Sequence, residues 1–229
     1  MDKLLEIQFS GWTATPRLPF IISGSKDGGS VCMHTPTYSL VIGIIGCCLG
    51  RNVISSELKL GFKYSYDTIN KDMETRQRLE NKGKIRKHPD GSSPYLMEFH
   101  SSPKLIIWTD RLDWKNYFEN PVGTPSLGRS QDILKIDSIT IIEVEKAERG
   151  NMGGSLLPFT AGLQAGGQLV QLAESYLENE EVGSGRIPQA SKVFISIPHD
   201  NHAEVAFNNI YKTKSDKPVA FYLHDFLNE

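Results

Sequence analysis

The stretch that decides the fold runs over residues 35–50 and reads TPTYSLVIGIIGCCLG. Thr35 stands immediately before Pro36, and a capping residue followed by proline is typical of the first turn of a helix. The apolar run from Tyr38 onward continues as that helix, and Gly50 is of the residue type that commonly ends one. The run is far shorter than the roughly 20 apolar residues that cross a bilayer. The stretch therefore predicts a buried helix.

Small residues recur along one side of this helix. Ser39, Gly43, Gly46 and Gly50 are spaced so that they lie on one stripe of a helical surface. Each glycine in a helix interior costs about 1 kcal/mol relative to alanine, and close contact with another group can offset that cost. The stripe predicts tight packing against a sheet, and the alternative is close approach of a ligand.

Segments with strand character flank the helix on both sides. Residues 4–9 and 57–67 alternate apolar and polar side chains, which is the period of a half-buried strand. The next predicted elements are a strand at 105–108, a short helix at 110–120 and a strand at 138–145. The resulting order is strand, helix, strand, strand, helix, strand, which is the split β-α-β arrangement of ferredoxin-like and RNA-recognition-motif folds.

Two segments lie outside this arrangement. Residues 70–94 contain few apolar side chains, so they predict an excursion from the body of the protein that adds little to a core. Glycines at 150–154 indicate a boundary, beyond which we predict a helical stretch at 168–180 and strands at 192–197 and 219–223. The predicted fold class is α+β, with an RNA-recognition-motif-like domain at 1–150, an insertion at about 70–94 and a smaller β-rich C-terminal domain at 151–229.

The charge of the chain is balanced overall but uneven along its length. Among 229 residues, 25 Lys and Arg face 27 Asp and Glu, and 39% are hydrophobic. This composition excludes a disordered chain and gives no global nucleic-acid signature. Between residues 71 and 88, however, seven bases outnumber three acids, as expected for an arm that binds phosphates. The alternative for this arm is a solvated loop, and residues 143–181 form a contrasting acidic segment.

The cysteines and the N-terminus indicate the compartment. Cys32, Cys47 and Cys48 are odd in number and include an adjacent pair, which argues against a disulfide scaffold and for a reducing environment. Charges at positions 2, 3 and 6 interrupt any apolar run at the start, so no targeting segment is expected. We therefore expect a cytoplasmic protein without membrane contact.

Motifs for metal, nucleotide or nucleophilic chemistry are scarce. In the glycine-rich run at 24–30, Ser30 follows Gly29 at the position where a phosphate loop needs a lysine. His199 with His202 has no accompanying ligand cluster. We expect no cofactor, no metal and no enzymatic activity. A metal-free ribonuclease remains the alternative, because it needs only a few side chains near a 2′-hydroxyl. Its candidates by residue type are His34, Tyr38, His88, His100 and Lys104.

Two motifs resemble a known protein family. The strand ending Phe9-Ser10-Gly11, a loop with Arg17 and Pro19, and the helix that begins within 35–46 together resemble the CRISPR-associated Cas five family of the repeat-associated RAMP superfamily. The turn Leu127-Gly128-Arg129-Ser130-Gln131-Asp132 is similar to that family's LGRSE-like turn. The chain departs from the family at Thr35-Pro36-Thr37-Tyr38, where Tyr-Pro-x-Pro is usual, and at Gln131, where an acid is usual. The resemblance points to a type I-B complex.

This resemblance implies a non-enzymatic subunit of the Cascade surveillance complex, which serves antiviral defence. Members of the family hold the 5′ handle of the crRNA, fold an inserted β-hairpin thumb over it, and contact the backbone subunit and the large subunit. Residues 70–94 occupy the thumb position, where the basic arm would meet guide RNA or target DNA. Members of one subtype process the repeat themselves, so an endoribonuclease stays open as the alternative. A filament-forming backbone subunit of the superfamily is a third possibility.

The predicted RNA contacts combine this resemblance with physical reasoning. A helix N-terminus at 35–39 offers free N–H groups and a positive dipole end to a phosphate. The glycine stripe would let RNA approach closely, and phosphate contacts from the turn at Arg129 would fix its position. The predicted RNA-binding residues are Arg17, Tyr38, Ser39, Gly43, Gly46, Arg76, Arg78, Lys84, Arg86, Lys87, Gly128, Arg129 and Ser130.

Overall fold

Strands dominate the computed structural model, which describes residues 2–18, 30–81, 85–160, 163–179 and 185–227. The helices in these ranges are α1 (Tyr38–Leu49) and α2 (Lys115–Glu119), with 3₁₀ turns at Ser55–Glu57 and Leu112–Trp114. The strands are β1 (Asp2–Gly11), β2 (Thr13–Ala14), β3 (Lys59–Ser65), β4 (Thr68–Asn81), β5 (Ile85–Ser101), β6 (Lys104–Thr109), β7 (Leu134–Asn151), β8 (Leu156–Pro158), β9 (Gln168–Glu178), β10 (Arg186–Ser196), β11 (Glu204–Thr213) and β12 (Ala220–Asp225).

Six strands close into a barrel in the order β1-β6-β3-β12-β11-β7. The four strands predicted for the N-terminal region are β1, β3, β6 and β7, and they lie next to one another in the barrel. Antiparallel pairing places Ile7 of β1 between Ile107 and Ile139. On the face opposite α1, which closure turns inward, Trp108 stacks on Phe221 with ring centroids 4.1 Å apart in an apolar cluster. The Trp108 indole N–H also donates to Glu6 on this face at 2.8 Å. An RNA-recognition motif binds RNA across an open sheet. Here the corresponding face is occupied by the barrel's own core.

Helix α1 packs on the outer face of the barrel, as its apolar run predicts. Val41, Ile45 and Cys48 are fully buried and join Phe9 and Leu60 of the strands in the main hydrophobic core. Burial of such side chains contributes about 1.5–3 kcal/mol each, which offsets the low helix propensity of the glycines. Within the described ranges, neither helix has the length and apolar character that spanning a membrane requires.

The start of α1 differs from the prediction, and its end agrees with it. The capping residue is Thr37, whose hydroxyl oxygen accepts a hydrogen bond from the Leu40 N–H at 3.1 Å. Thr35 is fully buried instead, with its hydroxyl 2.8 Å from that of Ser196. Gly50 ends the helix in the left-handed conformation, with φ at 68°.

The segment predicted as a helix at 168–180 is a strand, β9, and that prediction was wrong. It lies at one edge of a second sheet in the order β8-β10-β9. Its leucine, alanine and glutamate residues favour helices intrinsically, but Val170, Leu172 and Glu174 are buried while the residues between them are more exposed. That period of two is the period of a strand, and the tertiary pairing with β10 prevails over the helix propensity.

The excursion at 70–94 is part of a long β-hairpin formed by β4 and β5. The two strands pair antiparallel outward from Thr68 and Ser101, and β2 adds a short third strand at the root. Met97 and His100, near the root, are fully buried. The predicted basic contacts Arg76, Arg78, Arg86 and Lys87 lie on these strands, but their side chains are not among those that the structure describes. Lys84 lies outside the described residues altogether.

Strands beyond residue 150 complete the barrel. Strand β7 runs unbroken across the predicted boundary to Asn151. Strand β11, which the sequence did not predict, pairs with β7, and β12 lies between β11 and β3. Residues 151–229 therefore share a sheet with residues 1–150, and the predicted division at 150 does not separate two independent sheets.

Candidate nucleic-acid interface

A groove runs along the exposed side of helix α1, and we call it the α1 groove. It consists of two adjoining cavities of about 770 and 630 Å³ that share Ser39, Leu40, Gly128 and Tyr176 as lining residues. Helix α1 and strand β9 supply two walls. The larger cavity continues past the end of α1 to residues 50–54, and the smaller one extends toward the root of the hairpin.

Seven of the predicted RNA contacts line the α1 groove, although they come from three separate parts of the sequence. Helix α1 provides three of them, the turn at 126–131 provides three more, and the loop after β2 provides one. Sequence spacing alone could not bring these segments together, because long-range pairing of β1 with β6 and β7 sets their positions. The seven are Arg17, Ser39, Gly43, Gly46, Gly128, Arg129 and Ser130.

The stripe of small residues on α1 divides into an open part and a packed part. A Cβ atom added to Gly43 would meet no other atom within 4 Å, so Gly43 faces open space in the groove. A Cβ atom on Gly46 would lie 2.8 Å from the main-chain oxygen of Arg51, and one on Gly50 would lie 2.7 Å from Val122. Close packing therefore explains why positions 46 and 50 are glycines, whereas no neighbouring atom requires a glycine at position 43.

Tyr38 is a core residue, which corrects its predicted role as an RNA contact. Its side chain is 3% exposed and its hydroxyl donates to the main-chain oxygen of Leu156 at 2.7 Å. The ring stacks on His224 with centroids 4.5 Å apart and meets Phe62 edge-on. These contacts leave no ring face on which a base could stack.

Arg129 occupies the centre of an ion-pair network at one end of the groove. Its guanidinium donates to both carboxylate oxygens of Asp132, at 3.0 and 3.2 Å, and to Glu74 of β4 at 2.7 Å. Asp132 is fully buried and also accepts hydrogen bonds from the hydroxyls of Thr13 and Thr15. Arg129 thus joins the 126–131 turn to the hairpin, a structural role that the sequence did not reveal.

The glycine of this turn has a backbone conformation that other residues rarely adopt. Gly128 has φ at 113°, and an added Cβ would overlap Thr15. This close approach allows the Arg129 N–H to donate to both the Thr15 hydroxyl and Asp132, at 3.2 and 3.0 Å. A glycine at position 128 is therefore required to form the turn that borders the groove.

Arginines line the α1 groove, and two of them are paired with carboxylates. Four arginines and one glutamate, Glu74, line its two cavities. Arg51 pairs with Glu57 at 2.7 Å, and the Arg51 hydrogen bonds lower the pKa of the Glu57 carboxyl. Arg17 is exposed and its side chain contacts the Met97 sulfur at 4.0 Å. Among the described contacts, Arg17 and Arg186 are the lining arginines without a carboxylate partner, and their charge favours an anionic ligand.

Tyr176 is a candidate contact that the sequence analysis missed. It lies on β9, its side chain is 40% exposed, and it lines both cavities opposite α1. An exposed tyrosine beside arginines provides a surface on which a nucleobase can stack. The helix predicted for 168–180 concealed it, because the place of Tyr176 in the groove depends on the pairing of β9 with β10.

The described ribonuclease candidates do not all lie in one cluster. His34 and His100 both contact Tyr66: the His34 Nδ1 lies 3.3 Å from its hydroxyl, and His100 stacks on its ring at 3.7 Å. His199 meets the same ring edge-on at 4.7 Å. Tyr38 is in the core, Lys104 is exposed at the start of β6, and the His88 side chain lies outside the described residues. Among the described side chains, no three His, Cys, Asp or Glu are placed to hold a metal ion.

The fold is similar to those of solved CRISPR proteins. A CRISPR RNA-guided surveillance complex contains a chain that aligns over 87% of this chain and 93% of its own length, at 11% identity with a TM-score of 0.52. A CRISPR protein from Archaeoglobus fulgidus aligns over 97% and 100% at 11% identity, with a TM-score of 0.48. A chain of the type III-B Cmr-beta complex bound to cognate target RNA aligns over 90% and 86% at 11% identity, with a TM-score of 0.49. No protein-family model and no curated protein matches the sequence. The first similarity establishes a shared fold.

Proposed function

We propose that the chain is a guide-RNA-binding structural subunit of a CRISPR effector complex. The observation that carries this proposal is the convergence of Arg17, Ser39, Gly43 and the 128–130 turn on one groove lined by arginines. These residues were selected from their resemblance to the Cas five family, and the groove gives that resemblance a physical basis. Within this proposal the complex is a type I Cascade, of subtype I-B, and the ligand is the 5′ handle of the crRNA.

The groove supplies the kinds of contact that a short single strand requires. Arg17 would neutralise a phosphate, and the open surface at Gly43 would let the sugar-phosphate backbone lie close to α1. The Ser39 hydroxyl is suited to a 2′-hydroxyl, the group that distinguishes RNA from DNA. Tyr176 would stack a base on the opposite wall. This arrangement binds and positions RNA, and it needs no catalytic group.

Surfaces outside the α1 groove would contact the other components of the complex. The β4–β5 hairpin lies between β3 and β6 in the chain, where the resemblance implies a thumb. As a thumb it would fold over the handle and carry the basic arm toward guide RNA or target DNA. The backbone subunit and the large subunit of the complex would be the protein partners. The setting would be antiviral defence in the cytoplasm.

Binding of repeat-derived RNA to groove variants tests the proposal. We expect Tyr176→Ala to weaken binding by about 1–3 kcal/mol, as loss of base stacking does, and Arg17→Ala to reduce the salt slope by about 0.7. The matched controls are Tyr117→Ala and Arg149→Ala, which alter exposed residues outside the α1 groove. Fluorescence anisotropy of a labelled handle measures both quantities. Equal losses in the control variants would reject the groove as the binding site.

An endoribonuclease that processes the repeat is the second candidate, and the cluster around Tyr66 favours it. Burial lowers the pKa of His34, with Asp200 opposing that effect, so His34 is neutral near pH 7 and suited to accept a proton. Incubation of the protein with repeat RNA in EDTA distinguishes the candidates. Specific cleavage that is lost in His34→Gln would replace a purely structural role with catalysis, and intact RNA would support the structural subunit.

A further inference from the structure

Trp12 is a large apolar side chain that the fold leaves almost entirely in solvent. Its side chain is 92% exposed, whereas the other two tryptophans, Trp108 and Trp114, are 0% and 3% exposed. Tryptophan is strongly enriched among the residues that dominate binding energy at interfaces. Its exposure therefore marks a surface at which a ligand is expected.

The backbone on both sides of Trp12 is held in place. The Gly11 N–H donates to the Pro103 main-chain oxygen at 3.0 Å, and the Ser102 N–H donates to the Trp12 main-chain oxygen at 2.9 Å. Thr13 pairs with Ser101 of β5. The indole is thus presented by a fixed main chain at the root of the hairpin, so little backbone entropy would be lost when it binds.

The surroundings of Trp12 include the exposed Ile133, whose main chain lies against Gly11, and two exposed lysines. Ser10, two residues earlier, is directly opposite Lys104 on β6 and Lys135 on β7. Lys135 is 78% exposed and its ammonium lies 2.9 Å from Asp137. An aromatic ring on the same surface as cations is a combination that binds single-stranded nucleic acid.

Trp12 is adjacent to the α1 groove through the 126–131 turn. Its neighbour Thr13 donates to Asp132 at 2.7 Å, and Asp132 fixes Arg129 at the end of the groove. Ser130 and Gln131, which precede Asp132, line the groove. A strand that leaves the groove across this turn therefore reaches the surface that carries Trp12.

We propose that Trp12 is a second stacking platform, which binds a base of the single-stranded polynucleotide that leaves the α1 groove. This inference rests on the proposed function, because that function places a strand in the groove. Lys104 and Lys135 neutralise phosphates beside the stacked base. The platform accepts any base, because stacking uses a face that all four bases share.

The fluorescence of Trp12 provides a direct test, since the other tryptophans are buried. Titration of the protein with single-stranded RNA, and separately with DNA of the same sequence, should quench the exposed tryptophan emission. Quenching by RNA assigns the platform to the guide and quenching by DNA assigns it to a target strand, and either supports the proposal. Trp12→Phe should retain most of the affinity without the quenching, and Trp12→Ala should weaken binding about 5- to 150-fold.

The controls separate this inference from the proposed function. Tyr117→Ala should leave affinity and quenching unchanged. If no polynucleotide binds the wild-type protein, the proposed function fails. If binding persists and is weakened by Arg17→Ala, but Trp12 emission and the affinity of Trp12→Ala are unchanged, only the second platform is refuted. Emission that changes only when a protein subunit is added would also refute it.

Discussion

Replacement of Arg129 by alanine should destabilise the chain strongly at neutral pH. The guanidinium contacts both oxygens of Asp132, a fully buried carboxylate. After the substitution, the hydroxyls of Thr13 and Thr15 still donate to Asp132, but no positive charge faces it. Removal of one partner of a buried ion pair costs about 3–5 kcal/mol. Because these hydroxyl donors remain, we expect a loss of about 3 kcal/mol at pH 7.

The loss should become smaller in acid. Burial acts to raise the pKa of the Asp132 carboxyl, but the hydrogen bonds from Arg129, Thr15 and Thr13 prevail and hold it below its usual value. A carboxyl of this kind stabilises the fold above its unfolded pKa of about 4, and that stability is lost as the pH falls through the folded pKa. Without Arg129 the pKa of the Asp132 carboxyl in the folded state rises, so Asp132 of the variant is protonated at higher pH than in the wild type. Protonation then removes the uncompensated buried charge.

Urea unfolding followed by circular dichroism at pH 7 and pH 4 measures both effects. Lys115→Ala is the control, because its exposed pair with Glu119 should be worth less than about 0.5 kcal/mol. Arg129→Ala combined with Asp132→Asn should recover part of the loss, since the buried charge is gone. A loss below about 1 kcal/mol at pH 7, or a loss equal at both pH values, would refute the reasoning.

Three further predictions follow from the described contacts and the charge pattern. Gly43→Leu should fold normally and bind RNA weakly, because only open groove faces Gly43, whereas Gly46→Leu should lower the melting temperature; circular dichroism and anisotropy measure the two effects. Chiefly because of burial, the pKa of His100 is lowered to about 3, so the free energy of unfolding should fall below about pH 6.5 by up to about 1.4 kcal/mol per pH unit. His100→Gln should flatten that dependence in urea unfolding at graded pH. In the arm, alanine at three positions chosen from Arg76, Arg78, Arg86 and Lys87 should flatten the salt slope of RNA binding by about 2. The free energy of unfolding should stay within about 0.5 kcal/mol of the wild-type value. An unchanged salt slope would indicate that the arm is a solvated loop.

Local patterns were sufficient for the elements whose burial is regular. The apolar run of α1 and its stop at Gly50 were predicted correctly because the capping glycine adopts a left-handed conformation that few other residues tolerate. The alternation in β3 and β6 was equally clear. The helix start shifted from Thr35 to Thr37 because Thr35 is buried against Ser196, a residue far away in the sequence. Local patterns could not predict that contact.

Long-range pairing accounts for the other errors. Strand β9 carries helix-favouring residues, and only its pairing with β10 makes it a strand. Closure of the barrel depends on β12 lying between β3 and β11, and no local signal specifies that neighbour. The same holds for the candidate site: the turn motif identified Arg129, but its partners Glu74 and Asp132 give it a structural role that the motif does not show. The sequence predicts Tyr38 as an RNA contact because no local pattern shows that its ring is buried. The histidine on which it stacks, His224, lies 186 positions further along the chain.

Under the proposed function, closure of the barrel limits the surfaces to which a polynucleotide could bind. The sheet face opposite α1 is filled by Trp108, Phe221 and their neighbours, so a strand has no access to it. The α1 side remains, and there the second sheet supplies the facing wall through Tyr176 of β9. The segment after residue 150 therefore does two things: β11 and β12 close one face of the barrel, and β9 builds a groove on the other. Because one wall of that groove belongs to the second half of the chain, the N-terminal 150 residues alone lack a complete α1 groove.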